Sequence, residues 1–148
     1  MKPKIMPPTY FMILLVLAVV FNFIFPIRTI VRFPYNHLGW VLVLEGVVLN
    51  IWADGIFKKR KTTVKPGEKS SELVIKGPFK ISRNPMYFGM VLILLGVAVV
   101  CGDLVSFLFP IIFIILIEFL FIPLEEREMQ SIFGKKYLNY KKHVRRWV

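Results

Sequence analysis

The sequence predicts an all-α, polytopic membrane protein with about four transmembrane helices, a C-terminal helical hairpin and an amphipathic tail at the membrane interface. Three observations support this class. Hydrophobic residues make up 56% of the 148 residues, against about 45–50% in average soluble domains. They form long uncharged runs. A soluble domain of this length could not bury that much apolar surface.

The chain length fits one domain, and we expect residues 1–148 to form a single integral membrane domain. The single cysteine, Cys101, excludes an internal disulfide and a cysteine-based metal site. We also expect no metal in the functional site.

The basic residues are concentrated in two segments. Residues 58–83 hold nine Lys or Arg against two Glu, and residues 124–148 hold seven against three. Basic segments can bind nucleic acid, but these flank long apolar runs, so the positive-inside rule explains them more simply. We expect both segments to be cytoplasmic and nucleic acid not to be a partner. With four spans, both chain termini are then cytoplasmic.

The first span is predicted at residues 10–26, inside an uncharged run long enough to cross a bilayer. A signal peptide is the alternative, since Lys2 and Lys4 precede the run. No small-residue cleavage site follows it, which favours a retained anchor.

The second span is predicted at residues 37–57. It contains Glu45 and Asp54, which are costly in lipid and should face protein or a cavity. Asp54 lies near the cytoplasmic end, where it can pair with Lys58 or Lys59.

A cytoplasmic loop is predicted at residues 58–84. It is polar, and Lys65–Glu68 reads Lys-Pro-Gly-Glu, a turn signal. We expect this loop to be ordered on the membrane surface.

The third and fourth spans are predicted at residues 85–102 and 104–124, with Pro110 and Pro123 breaking the fourth. Only a turn fits between these spans, so they form a tight antiparallel hairpin. The cytoplasmic tail, residues 125–148, mixes basic and aromatic side chains, as interfacial helices do. Gly134 is expected to interrupt its helix.

The hairpin brings two polar motifs to one membrane face: Arg83-Asn84-Pro85-Met86-Tyr87 and Glu125-Glu126. Singly, the residues have structural explanations: Asn84-Pro85 starts a helix, Arg83 reaches headgroups and Tyr87 anchors at the interface. Together they suit a zwitterion. The helix N-terminus and Arg83 can bind its carboxylate, and the glutamates its ammonium group or ribose hydroxyls. S-adenosylmethionine carries all these groups.

These residues resemble the isoprenylcysteine carboxyl methyltransferase and phospholipid methyltransferase superfamily of integral membrane enzymes. The family signature is Arg-His-Pro-x-Tyr followed, after a few tens of residues, by Glu-Glu, and Asn84 replaces its histidine. Asn can donate and accept hydrogen bonds but does not titrate near neutral pH. The resemblance covers about residues 60–148. It includes Thr62–Pro66, Gly77-Pro78-Phe79 and Phe133-Gly134-Lys135-Lys136-Tyr137-Leu138-Asn139-Tyr140.

The resemblance implies S-adenosylmethionine-dependent methyl transfer at the cytoplasmic membrane face. Its acceptor would be a lipid or lipidated molecule, such as an isoprenylcysteine carboxylate or a phospholipid amine, entering from the bilayer. The implied cofactor pocket is capped by the tail, and Arg83 and Glu126 are its implied catalytic residues. The cofactor-binding residues are Arg83, Asn84, Pro85, Tyr87, Glu125 and Glu126.

Two other functions remain open from the sequence. One is an NADPH-dependent membrane reductase of the sterol reductase type, which shares a related C-terminal hairpin. The other is a small four-span multidrug transporter that uses an intramembrane acid such as Glu45.

Two further features stay ambiguous from the sequence. Glu118 shares a face with Glu125 if their helix is straight, so it either lines an acceptor tunnel or packs against Arg or Asn. Arg145 and Arg146 either anchor the tail to lipid phosphates or reach the cofactor.

Overall fold

The computed structural model describes residues 6–59 and 72–148. The predicted turn at Lys65–Glu68 and the motif residues Thr62–Pro66 lie outside them. Within the described residues the protein is all-helical, as predicted, and β-structure is limited to two isolated bridges. The α-helices are α1 (Pro7–Ile24), α2 (Gly39–Lys59), α3 (Pro85–Cys101), α4 (Leu108–Leu116), α5 (Ile122–Phe133) and α6 (Lys135–His143).

Three helical stretches are long and apolar enough to cross a membrane: Pro7–Ile24, Tyr35–Lys59 and Leu104–Phe133. The fourth apolar helix, α3, has 17 residues, which is about 25 Å at the usual rise per residue. The predicted class, a helical membrane protein with three to four candidate spans, is confirmed.

The chain stays helical from Leu104 to Phe133, so the expected break at Pro110 is wrong, whereas the regular α-helix is interrupted just before Pro123. Pro110 lies in the first turn of α4, where the missing N–H of proline costs little. Pro123 lies in the first turn of α5, directly after a π-helical turn at Ile117–Phe121. The wider π turn changes the hydrogen-bond pattern, and a new α-helical segment begins at Ile122 with the proline in its first turn.

Helices α2 and α3 pack with their backbones in near contact at two glycine pairs. A Cβ atom added to Gly96 would lie 2.6 Å from the carbonyl oxygen of Gly39, and one added to Gly46 would lie 2.5 Å from that of Gly89. Small residues allow such close approach between membrane helices. The pairs therefore fix the position of α3, which carries one half of the predicted site.

The main core lies between α1, α3 and α4. Its buried members include Ala18, Leu94, Phe113 and Ile117, all with no exposed surface. Trp147, from the end of the chain, packs against this cluster. The C-terminus is thus held by apolar contacts as well as polar ones.

The hairpin turn between α3 and α4 forms as predicted. Gly102 ends α3 with φ of 74°, a left-handed conformation that favours glycine. The Asp103 carboxylate accepts from the backbone N–H groups of Val105, at 3.1 Å, and Arg28, at 2.9 Å. The connection after α1 is thereby tied to this end of the hairpin, and the predicted site lies at the other end.

Candidate functional site

The centre of the site is the carboxylate of Glu126, in α5. Arg83, which precedes the N-cap residue of α3, places Nη1 2.9 Å from Glu126 Oε1, and both side chains are nearly buried, at 9% and 10% exposure. Lys141, on α6, places Nζ 2.8 Å from Oε2. A buried carboxylate is stable only when it is paired. Glu126 thus joins α5 to the residues before α3 and to α6.

Glu125 faces a different partner. The Tyr87 hydroxyl donates a hydrogen bond to Glu125 Oε1 at 2.5 Å. Adjacent residues on a helix point about 100° apart, which is why the two glutamates have separate surroundings. The structure therefore brings Tyr87 and Glu125 together, as the hairpin predicts, but gives Glu125 and Glu126 different partners.

Asn84 and Pro85 occupy the start of α3. Pro85 is fully buried. Asn84 sits at the N-cap position, but its side chain makes no capping hydrogen bond. Its Nδ2 instead donates to the carbonyl oxygen of Arg146 at 3.1 Å. Asn84 therefore fixes the C-terminal segment, defined here as residues 145–147, and does not satisfy a helix N–H.

Arg146 bridges two carboxylates. Its Nε donates to Glu126 Oε1 at 2.9 Å and its Nη2 to Oε2 at 3.1 Å, while Nη1 donates to Glu118 Oε1 at 2.5 Å. The hydrogen bonds to Glu126 and Glu118 raise the pKa of Arg146 above its ordinary value. Trp147 adds a hydrogen bond from Nε1 to Glu118 Oε2 at 3.1 Å. Of the two roles predicted for Glu118, lining an acceptor tunnel or packing against Arg or Asn, the structure shows a contact with Arg146.

The π turn explains why Glu118 lies beside Glu126. In a straight α-helix, Glu118 would share a face with Glu125, seven residues on. The π turn at Ile117–Phe121 uses more residues per turn. The alignment therefore shifts by one position, and one guanidinium reaches both Glu118 and Glu126.

The backbone of the C-terminal segment is held against the residues before α3. The Arg83 N–H donates to the Arg145 carbonyl at 2.9 Å, and the Ser82 hydroxyl donates to the Arg146 carbonyl at 3.1 Å. Arg145 itself is exposed. Ser82 and Lys141 are site residues that the sequence pattern did not indicate, and the pattern did not separate Arg145 from Arg146. The local sequence does not distinguish the two arginines, because the position of the segment depends on its backbone bonds to Ser82 and Arg83.

Helix α6 closes the site on the tail side. The Tyr140 hydroxyl donates to the Phe79 carbonyl at 2.6 Å, and Tyr137 is buried. Burial raises the pKa of both phenols, which keeps them neutral. Gly134, with φ of 51°, separates α5 from α6, which confirms the expected interruption.

Arg83 retains unused binding capacity. Among the described residues, its buried Nε has no hydrogen-bond partner, and its Nη1 faces Glu126 without the alignment of a hydrogen bond. An unpaired buried donor is costly, and a ligand carboxylate would satisfy it. The residues present therefore fit the amino-acid end of S-adenosylmethionine.

A separate groove of about 670 Å³ lies between residues 72–80 and the end of α5 with α6. Its lining includes Lys80, Lys136, Tyr140 and His143. None of the six predicted cofactor-binding residues lines it, so it is distinct from the cluster around Glu126.

The predicted ion pair between Asp54 and Lys58 forms on α2, with Nζ of Lys58 2.5 Å from Oδ2 of Asp54.

Helices long enough to span a bilayer and a charged cluster at one end of them define an integral membrane protein with a polar site. The family model described as phospholipid methyltransferase matches residues 35–136, which is most of the chain. The chain belongs to this phospholipid methyltransferase family, as its resemblance predicts. The match includes the Arg83 motif and the glutamate pair but ends before Lys141 and Arg146.

One relative is an uncharacterized protein of Haemophilus influenzae. It is 41% identical over 63 residues, which are 43% of this chain and 100% of that protein.

Membership of the phospholipid methyltransferase family makes the chain a membrane methyltransferase and favours methyl transfer over the reductase and transporter functions.

Proposed function

We propose that the protein transfers a methyl group from S-adenosylmethionine to a lipid or lipidated acceptor at the cytoplasmic membrane face. The observation that carries the proposal is the buried, incompletely bonded guanidinium of Arg83 beside the Glu126 carboxylate. Membership of the phospholipid methyltransferase family supports both the methyl transfer and the lipid acceptor.

The cofactor pocket in this proposal consists of Arg83, Asn84, Pro85, Tyr87, Glu125 and Glu126. Arg83 binds the carboxylate, since a guanidinium pairs with carboxylates in a fixed geometry. The glutamates bind the ammonium group or the ribose hydroxyls. When bound, the cofactor supplies a sulfonium methyl group, to which the acceptor forms a bond while the sulfur keeps the electron pair of the bond that breaks.

The protein's contribution to this reaction is positioning. Holding two reactants in line can supply much of the rate acceleration. The contacts of Arg146, Ser82 and Asn84 fix the C-terminal segment against the start of α3. In this proposal the segment shields the reacting groups from water, and an apolar acceptor arrives from the bilayer between the spans.

The direct test is cofactor binding by the purified full-length chain in detergent. Arg83→Gln removes the guanidinium but leaves Glu126 paired with Lys141 and Arg146, so the fold should persist. We expect S-adenosylmethionine binding to weaken about tenfold or more, as for the loss of a charge-assisted hydrogen bond. Glu45→Gln is the control, because Glu45 is exposed on α2. Wild-type protein that binds no cofactor, or an Arg83→Gln variant with unchanged affinity, would overturn the proposal.

A further inference from the structure

The groove beside α6 is not used by the methyl-transfer site described above. Its volume of about 670 Å³ is typical of sites that hold small ligands. Residues 72–80 form one wall, and Phe133 with α6 and Val144 forms the other. Neither Glu126 nor any of its three cations lines the groove. A ligand bound there would therefore be additional to the cofactor.

The polar part of the lining is mainly positive. Lys80 and Lys136, one from each wall, are both exposed. Glu72 is the one carboxylate among the described residues that line the groove. His143 also lies there, with its ring held by a hydrogen bond from Nδ1 to the Asn139 carbonyl at 2.8 Å. An anionic group between the walls would meet an ammonium group from each of them.

The rest of the lining is largely apolar. Leu73 and Ile75 contribute from one wall, and Phe133 and Val144 from the other. Ile75 is 47% exposed, and Ile81, just beyond this wall, is 62% exposed. Exposed apolar side chains beside lysines are typical of segments that lie at a membrane interface. The lining therefore suits a ligand that combines an anionic group with hydrocarbon chains.

The two walls are already held together. The Tyr140 hydroxyl, on α6, donates to the Phe79 carbonyl, in the other wall, at 2.6 Å. Lys141, the next residue of α6, places Nζ 2.8 Å from Glu126 Oε2. A ligand that contacts both walls would thus also hold α6 in the position that pairs Lys141 with Glu126.

We propose that this groove binds an anionic phospholipid that is not a methyl acceptor. Lys80 and Lys136 contact its phosphate, and its acyl chains pass over Leu73 and Ile75 into the bilayer. The lipid stabilises α6 against residues 72–80. Because the bound lipid does not react, the inference does not depend on the proposed methyl transfer.

The first test is lipid binding without cofactor. The full-length protein in detergent is titrated with dioleoylphosphatidylglycerol or dioleoylphosphatidylcholine, and the retained lipid is measured by native mass spectrometry. The two lipids share acyl chains and phosphate, but a choline cation offsets the charge of the second. We expect the wild type to prefer phosphatidylglycerol about tenfold or more, as attraction to two lysines implies. Equal retention of the two lipids would overturn the inference.

Matched double variants separate the groove from the basic surface around it. Lys80→Gln with Lys136→Gln should remove the preference for phosphatidylglycerol. Lys76→Gln with Lys142→Gln removes the same charge from the same two segments, but neither lysine lines the groove, so the preference should remain. A basic surface also attracts anionic lipid without a specific site. Equal losses in the two double variants would show that surface attraction alone, and would contradict a groove site.

Thermal unfolding tests the stabilisation of α6 and shows that the variants are folded. A ligand that binds only the folded state raises the unfolding temperature. Phosphatidylglycerol should therefore raise it for the wild type and for the Lys76→Gln/Lys142→Gln protein, and much less for Lys80→Gln/Lys136→Gln. An equal rise in all three proteins would contradict the inference.

The acyl chains are tested separately from the headgroup. Glycerophosphoglycerol has the same headgroup without acyl chains and should compete poorly with the lipid. Displacement of the lipid at equal concentration would show that the ligand is a free phosphate ester and would overturn the lipid assignment. Ile75→Asn should weaken retention of phosphatidylglycerol, whereas Ile81→Asn, outside the groove, should not. Equal retention by these two variants would contradict the path assigned to the acyl chains.

Discussion

At the residue scale, Asn84 occupies the histidine position of the family motif, and its contact in the folded chain was not predicted. The family signature has histidine there, and both residues can donate a hydrogen bond from a ring or amide N–H. In the structure the Asn84 donor reaches the Arg146 carbonyl at 3.1 Å. A hydrogen-bond donor, not a titrating group, is what this contact requires. The residue type predicted a helix start, but the partner comes from 62 residues along the chain, which the sequence could not indicate.

Asn84→Asp and Asn84→His form a matched pair that tests this account. At neutral pH aspartate has no donor and faces a carbonyl oxygen, so we expect it to cost about 1–3 kcal/mol of stability and to weaken cofactor binding. Histidine keeps a donor, and its variant should remain close to wild type. Thermal unfolding and cofactor titration of both variants are the measurements. A histidine variant as impaired as the aspartate variant would show that size, not hydrogen bonding, matters here.

At the element scale, the helix types and their order were predictable, because long apolar runs and turn residues are local signals. The π turn at Ile117–Phe121 was not, since it reflects how α4 and α5 meet the rest of the bundle. It moves Glu118 into line with Glu126, and the straight-helix alignment with Glu125 fails for that reason. The Gly39–Gly96 contact was likewise not identified, because a glycine spacing alone does not show which helix faces it.

Gly96→Ala tests the close packing of α2 against α3. The added methyl group would lie 2.6 Å from the Gly39 carbonyl oxygen, and such overpacking costs about 1–3 kcal/mol. Gly55→Ala is the control, because nothing lies within 4 Å of a Cβ atom there. We expect a lower unfolding temperature for Gly96→Ala alone. Equal unfolding temperatures for the two variants would exclude a tight α2–α3 contact.

Tyr140 makes the attachment of α6 dependent on pH. Burial raises the pKa of Tyr140 above its ordinary value of 10.0, so its contribution to stability is complete below pH 10.0 and is lost as the pH rises through the folded-state pKa. Between about pH 9 and about pH 11, the wild type should therefore lose more thermal stability than Tyr140→Phe. Parallel losses in both proteins would mean that this phenol does not titrate on unfolding.

At the scale of the whole molecule, the sequence predicted which residues come together, but it did not predict which of them form pairs. The hairpin alone places Arg83 and Tyr87 near Glu125 and Glu126, and the ion pair and hydrogen bond between them are observed. The return of the C-terminal segment into the site was expected only as a cap over the cofactor or as one alternative for Arg145 and Arg146. That segment is a few residues long and basic, so its composition is equally typical of a surface anchor. Its inward position depends on backbone bonds to Ser82 and Arg83 that only the folded chain provides.

The orientation of the molecule remains a prediction. The basic residues of the loop and tail place the site, with both termini, on the cytoplasmic side. The water-soluble cofactor and the bilayer-borne acceptor then reach the site from different phases. Labelling of terminal tags from each side of sealed vesicles of known sidedness measures this directly. A tag that reacts from the face opposite the cytoplasm would contradict the predicted orientation.

Transfer of a labelled methyl group to lipid is the most direct test of the central claim. Membranes with the wild-type chain or the Glu126→Gln variant are incubated with methyl-labelled S-adenosylmethionine, and the lipids are extracted and treated with mild base. We expect label in the wild-type lipids only, where label that survives the base indicates an amine acceptor and label that the base releases indicates a carboxylate acceptor. Inserted wild-type protein that leaves the lipid fraction unlabelled would contradict the account.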